Sequence, residues 1–235
     1  MKNHYSILGK ISVAVLSLAM LQGCNKSDDK FGFSSNSGGY VIQQYSSGIP
    51  SFRPYMKFGV NHGNLATGTI SLKGVPLAGG TIYDNLYETY AGTYPSISHV
   101  NGTYTFSAVS EKGEEASASI TFNIDKVLGE MTVHNFVYEN GKIKAEIENV
   151  ENAIAYGFLI NPVIPGLPSE SRFFSTDYTF YPESGSVQKP SMSYSFPNTD
   201  YDAVRVYPLA VYAYDGVLAL IGEEKILRKG ATAFD

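Results

Sequence analysis

The chain has 235 residues, enough for one large domain or two small ones. Its 43% hydrophobic content allows packed cores and excludes wholesale disorder. A net charge of −5 with only four arginines, Arg53, Arg172, Arg205 and Arg228, leaves no basic stripe and excludes nucleic acid as a partner.

Lys2 and Lys10 form a positive n-region around an apolar run of 11 residues, Ile11 to Leu21. A membrane-spanning helix needs about 20 apolar residues, so this run reads as an export signal. Cys24 is the only cysteine, which rules out an intrachain disulfide. A conventional cut after Gly23 would place bulky Leu21 at the third-last position, where signal peptidase prefers a small residue. The run Leu21-Gln22-Gly23-Cys24 instead resembles a bacterial lipobox. That resemblance implies lipid addition at the Cys24 thiol, cleavage after Gly23, and acylation of the new amino terminus. The membrane is then the first expected partner, held through acyl chains worth about 0.8 kcal/mol per buried methylene.

Asn25-Lys26-Ser27-Asp28-Asp29-Lys30 follows, and its acidic pair resembles the surface-export signal of Bacteroidota lipoproteins. It implies an outer-membrane location facing the cell exterior, with the inner leaflet of that membrane as the alternative. Two of the 17 basic residues leave with the signal, so the net charge falls from −5 to −7. Ser34-Ser35-Asn36-Ser37-Gly38-Gly39 has the composition of a flexible tether.

The abundance of Tyr (18), Phe (13), Gly (23) and Pro (11) favours short strands and turns over helices. Tyr40 to Gln44 begins a first strand. Tyr83, Tyr87, Tyr90 and Tyr94 are spaced four, three and four apart. With Gly92 inside the run and Pro95 after it, this predicts a loop or a single short helix crossing a sandwich. An Asn101-Gly102 turn is expected next. "TYTFSAVS" and "SASITFNI" both alternate apolar with polar residues, and Glu111-Lys112-Gly113-Glu114 joins them as a hairpin. Asp125 to Glu130 reads as a boundary. "MTVHNFVY" and "KIKAEIENV" then flank Asn140-Gly141, a strong two-residue hairpin signal. The parity change between Val133 and Phe136 predicts a bulge near His134-Asn135. "AIAYGFLI" is apolar throughout, as a central strand is. "YDAVRVYPLAVYAYDG" is a further strand that Pro208 makes irregular.

Thr132 to Arg228 resembles a fibronectin type III sandwich, through the Asn140-Gly141 hairpin, "ENVENAIAYGFLI" and "TDYDAVRVYPLAVYAYDG". The resemblance implies a corner hydrogen bond from a tyrosine before the penultimate strand, and Tyr201 is the matching residue. Residues 40–125 resemble an immunoglobulin-like sandwich through "GTYTFSAVSEKGEEASASITFNI". The expected fold is all-β: two tandem immunoglobulin-like and fibronectin type III-like antiparallel sandwiches after a lipoprotein signal. The divisions are a signal at 1–23, a tether at 24–39, and independent sandwiches at 40–126 and 127–235.

No HExxH, GxSxG, P-loop or GxGxxG pattern occurs, so no enzyme is expected. His62, His99 and His134 lack ligand spacing. Asn198, Asp200 and Asp202, which could offer oxygens to calcium, read instead as a polar turn leading into the Tyr201 strand, and neither metal nor cofactor is expected. Aromatic side chains can stack on the C–H faces of sugars. Two groups are candidates: Tyr83, Tyr87, Tyr90 and Tyr94, and Phe173, Phe174 and Tyr178 of "SRFFSTDYTFY", each with a packing role as the alternative. The expected function is that of a lipid-anchored, non-catalytic envelope binding protein, glycan-binding or adhesive, whose partner is a polysaccharide or another surface protein. The alternative is a structural spacer or a fimbria-like assembly subunit.

Overall fold

The computed structural model describes residues 31–34, 37–77, 79–83, 86–90, 92–163, 174–180, 186–196, 201–212 and 217–235, with the backbone alone at 83, 88, 90, 174–180 and 217. Its first half contains β1 (Gly32–Phe33), β2 (Gly38–Ser46), β3 (Ile49–Asn61), β4 (Leu65–Leu72), β5 (Val75–Pro76), β6 (Thr81–Tyr83), β7 (Leu86–Tyr90), α1 (Ile97–Val100), β8 (Gly102–Ser110) and β9 (Glu115–Phe122). The second half contains β10 (Val133–Glu139), β11 (Lys142–Glu148), β12 (Ala155–Pro162), β13 (Phe174–Phe180), β14 (Val187–Gln188), β15 (Ser191–Ser193), β16 (Ala203–Tyr212), β17 (Val217–Ile221) and β18 (Lys225–Arg228).

In the first sandwich, β2-β3-β7-β6 form one layer and β5-β4-β8-β9 the other. Lettered in chain order, β2 to β9 become A, B, C, C′, D, E, F and G. The layers are then A-B-E-D and C′-C-F-G, the immunoglobulin-like arrangement. Its core explains how it dispenses with the inter-sheet disulfide that antibody domains place between strands B and F. Phe58 on β3 and Phe106 on β8 stack instead, 4.5 Å apart and 15° from parallel. Tyr87 and Phe33 complete the cluster, 4.7 and 5.6 Å from Phe106.

A tyrosine corner is present in this sandwich. The Tyr104 hydroxyl, two residues before Phe106, donates to the Val100 carbonyl at 2.9 Å. Burial pushes its pKa well above the ordinary tyrosine value. The corner expected at Tyr201 has a different setting. Tyr201 packs on Phe196 at 6.4 Å and bonds to Tyr194, and residues 197–200 lie outside those described.

In the second sandwich, β10-β11 with β14 and β15 face β13-β12-β16 with β17 and β18. This is the A-B-E over C′-C-F-G arrangement of fibronectin type III. The expected Asn140-Gly141 turn is formed, with φ of 51° and 71° at the two residues, the left-handed pair that a type I′ turn requires. The register shifts between His134 and Val137, and Asn135 sits at φ 49°, so the expected bulge is there. Ile143, Ala145 and Ile147 are buried in alternation. Strand β12 is buried throughout and pairs on both sides. Pro208 does not end its strand. Its missing N–H coincides with the break of strand G into β17 and β18, and the Gly222 amide bonds the Pro208 carbonyl at 2.8 Å.

Three sequence expectations need correction. First, part of the expected tether is folded: β1 pairs with β3, Phe31 is buried, and Ser37 and Gly59 exchange two hydrogen bonds. Gly39 is demanded by contact, because a Cβ there would lie 2.8 Å from the Tyr55 carbonyl oxygen. Second, Asn101-Gly102 is no hairpin turn. Asn101 caps α1, and its side chain pairs with both the amide and the carbonyl of Ile124. Third, the tyrosine series is neither loop nor helix, since β6 and β7 form a hairpin there.

The sandwiches are also not independent. Strand β17 of the second pairs in parallel with β2 of the first, from Val217↔Tyr40 to Leu220↔Gln43. The result is one ten-stranded sheet running through both. The connecting segment is clamped beside this seam. Gln43, fully buried, donates to the Leu128 carbonyl at 2.7 Å and accepts from the Leu128 amide at 3.0 Å. The Tyr45 hydroxyl reaches the same carbonyl at 2.8 Å. The Tyr212 hydroxyl bonds Asp125, and Asn152 bonds the Val127 carbonyl.

Candidate functional site

Two loops at one end of the first sandwich enclose a small polar cavity. The β3–β4 loop turns sharply, with His62 at φ 56° and Gly63 at φ 137°. The β8–β9 loop is organised by Ser110, whose hydroxyl oxygen accepts the amides of Lys112 (3.2 Å) and Glu114 (3.0 Å). The Glu111 amide bonds the Asn64 carbonyl at 3.1 Å and ties the loops together. The cavity is about 240 Å³ and is lined by His62, Gly63, Asn64, Ser110, Glu111, Lys112 and Glu114. Some of its polar groups already serve one another: the Asn64 amide lies 3.5 Å from a Glu111 carboxylate oxygen, and the Ser110 hydroxyl 3.5 Å from a Glu114 carboxylate oxygen. Ser110 is committed to its own loop and is a scaffold for it, not a nucleophile. The sequence showed the turn but not the meeting of two loops nearly 50 residues apart.

The aromatic candidates fare differently from expectation. Tyr87 is 4% exposed, and its hydroxyl donates to the Gly79 carbonyl at 3.0 Å. Desolvation by burial raises its pKa. It is a core residue and offers no stacking face. Tyr87 and Tyr90 lie three positions apart on β7. Tyr94 is half-buried, and its backbone exchanges two 2.8 Å bonds with Phe52. Tyr83 pairs with Leu86 in the β6–β7 hairpin. With Tyr87 in the core, the four tyrosines do not act together as one platform. Phe174 and Tyr178 occupy strand β13, whose one partner among the described strands is β12, in register with Ile160 and Gly157. Phe173 and Cys24 lie outside the described residues.

The remaining titratable candidates are dispersed. His134 pairs with Glu148 at 2.9 Å on the surface, and His99 contacts Ser96. Asp202 is exposed, while Asn198 and Asp200 lie outside the described residues. Among the described residues, no three His, Cys, Asp or Glu side chains converge to hold a metal. None of the described helices is long and apolar enough to cross a membrane.

No protein-family model matches the chain. No curated protein matches it either. Among solved structures, it is similar to a chimeric titin Z1Z2 tandem functionalised with a fibronectin GRGDS peptide. That match has 10% identity, covers 80% of this chain and 98% of the other, and has a TM-score of 0.27. So loose a likeness decides nothing. The assignment of both sandwiches as immunoglobulin-like rests on strand order, register and the Tyr104 corner. Such folds suit adhesive or structural roles and host many others.

Proposed function

We propose that this chain is a lipid-anchored, non-catalytic adhesive protein of the bacterial outer membrane, exposed at the cell surface. The sequence supports the anchor through the signal run, Gly23 and Cys24, and the acidic pair Asp28-Asp29 supports surface export. The observation that carries the adhesive reading is the shared sheet. Strand pairing from β17 to β2 joins the two sandwiches through one sheet, which supports a role in carrying loops away from the anchor. The partner is a polysaccharide or another surface protein. With Tyr87 in the core, the glycan version rests on the β13 edge and the adjoining Phe173. Binding of cell-surface polysaccharides in an affinity gel, lost on Phe174→Ala, is the expected result. Unchanged migration in every polysaccharide removes the glycan version. Release of the Cys24→Ser variant into the soluble fraction, with shaving of the wild type from intact cells, tests the anchor and its exposure.

The spacer reading has its own support in the clamped connection at Gln43 and Leu128. Assembly by donation of the C-terminal strand fits less well, because β18 already pairs with β16 of its own sheet. A lone monomer band on an unboiled gel is therefore expected, and an SDS-resistant ladder is the contrary outcome.

A further inference from the structure

The register of the first strands fixes where the chain enters the first sandwich. Gly32 pairs with Asn61 and Phe33 with Val60, so the N-terminal segment joins the fold beside the His62–Asn64 loop. Strand β2 then runs away from that end, and β17 runs parallel to it. After the break at Gly222, β18 continues in the same direction to Arg228. Along the sheet, Asn61 and Arg228 are separated by on the order of 55 Å at about 3.3 Å per residue. Phe31 is buried in the core, and only six residues, Asn25 to Lys30, separate it in sequence from Cys24. Seven peptide steps span at most about 25 Å whatever their conformation.

We propose that the loop end carrying His62, Asn64, Glu111 and Lys112 faces the lipid headgroups that hold the anchor. The far end of the second sandwich, around Asn140-Gly141 and Lys229, is then the end presented outward. This inference rests on acylation of Cys24. It assigns the small polar cavity to the membrane side and leaves the outward end for the adhesive partner. A mean headgroup distance several Debye lengths long, at about 8 Å each in physiological salt, separates the outward end from the surface potential.

The test uses the full-length protein, processed and lipidated in a bacterial host and reconstituted into phosphatidylethanolamine–phosphatidylglycerol vesicles with headgroup-linked energy acceptors. A donor dye is placed at Lys112→Cys or at Lys229→Cys, both exposed loop positions. Energy transfer at least threefold stronger from position 112 than from 229 is expected. Equal or inverted transfer from protein that floats with the vesicles overturns the orientation and leaves the anchor standing. Failure of the wild type to float, with Cys24→Ser behaving alike, overturns the anchor and the orientation together.

Discussion

Replacement of Gln43 by Leu tests whether the two sandwiches behave as one body. Gln43 sits fully buried on β2 and holds both polar groups of Leu128. Leucine nearly fills its volume but offers no hydrogen bond. The Leu128 carbonyl keeps the Tyr45 hydroxyl at 2.8 Å, so it stays satisfied. The Leu128 amide loses its partner in a buried site, at a cost of about 1–3 kcal/mol. For a domain of this size each kcal/mol lowers Tm by about 2–4 °C. Adding Tyr45→Phe strips the carbonyl as well, and the double variant should lose more than the two single losses combined, since both side chains serve one carbonyl. Urea unfolding followed by circular dichroism and by tyrosine fluorescence is the assay. One transition, coincident in both probes and shifted as a whole by Gln43→Leu, is expected. Two separate transitions, or a shift worth less than about half a kcal/mol where an orphaned buried amide should cost at least one, would refute the clamp.

The core makes equally definite demands. An added Cβ at Gly68 would lie 2.8 Å from two Phe106 ring carbons, so Gly68→Ala should cost about 1–3 kcal/mol by overpacking; an unchanged denaturation midpoint contradicts this. Tyr87→Ala should cost about 3–5 kcal/mol as a core truncation, seen as a lowered Tm, and a stable variant would reopen Tyr87 as a surface group. Burial raises the pKa of Tyr104 and Tyr194, so their stabilisation is complete below the unfolded value of 10.0 and falls as pH rises beyond it. Each contributes a slope of about 1.4 kcal/mol per pH unit. Tyr104→Phe should flatten the alkaline limb of the stability profile, and an identical limb argues against the buried corner. The Tyr212 hydrogen bond holds the Asp125 pKa below 3.8, so that bond stabilises above this value and is lost as pH falls through the lower folded pKa. The stability gap between wild type and Asp125→Asn should therefore close in acid, and a gap independent of pH excludes the contact.

Local signals in the sequence carried most of the fold. Asn140-Gly141 specified its turn because two adjacent left-handed residues are needed there and these two tolerate them. Ile143, Ala145 and Ile147 declared their buried face through a period of two. The tyrosine spacing misled because a helix and a short hairpin can share it, and the Gly79-Gly80 start and sheet pairing decided for strands. Ser37-Gly38-Gly39 looked like linker because composition cannot register that Phe122 and the Tyr55 backbone crowd position 39. Gln43 read as a polar strand position, since its partner lies 85 residues away. The seam between β17 and β2 joins segments from opposite ends of the chain, a pairing that no local pattern encodes. The cavity was hidden for the same reason, and Tyr87 was overestimated as a binding residue because aromatic residues fill cores as readily as they cover surfaces.

The parallel seam has a mechanical meaning. Tension applied between the amino-terminal end of the first sandwich and the far end of the second would drag β2 and β17 past each other along their length. Hydrogen bonds loaded in shear resist together and fail together, whereas a ladder peeled from one end gives way bond by bond. A chain joined this way passes a pull from one sandwich to the other through the seam as well as through the connecting segment.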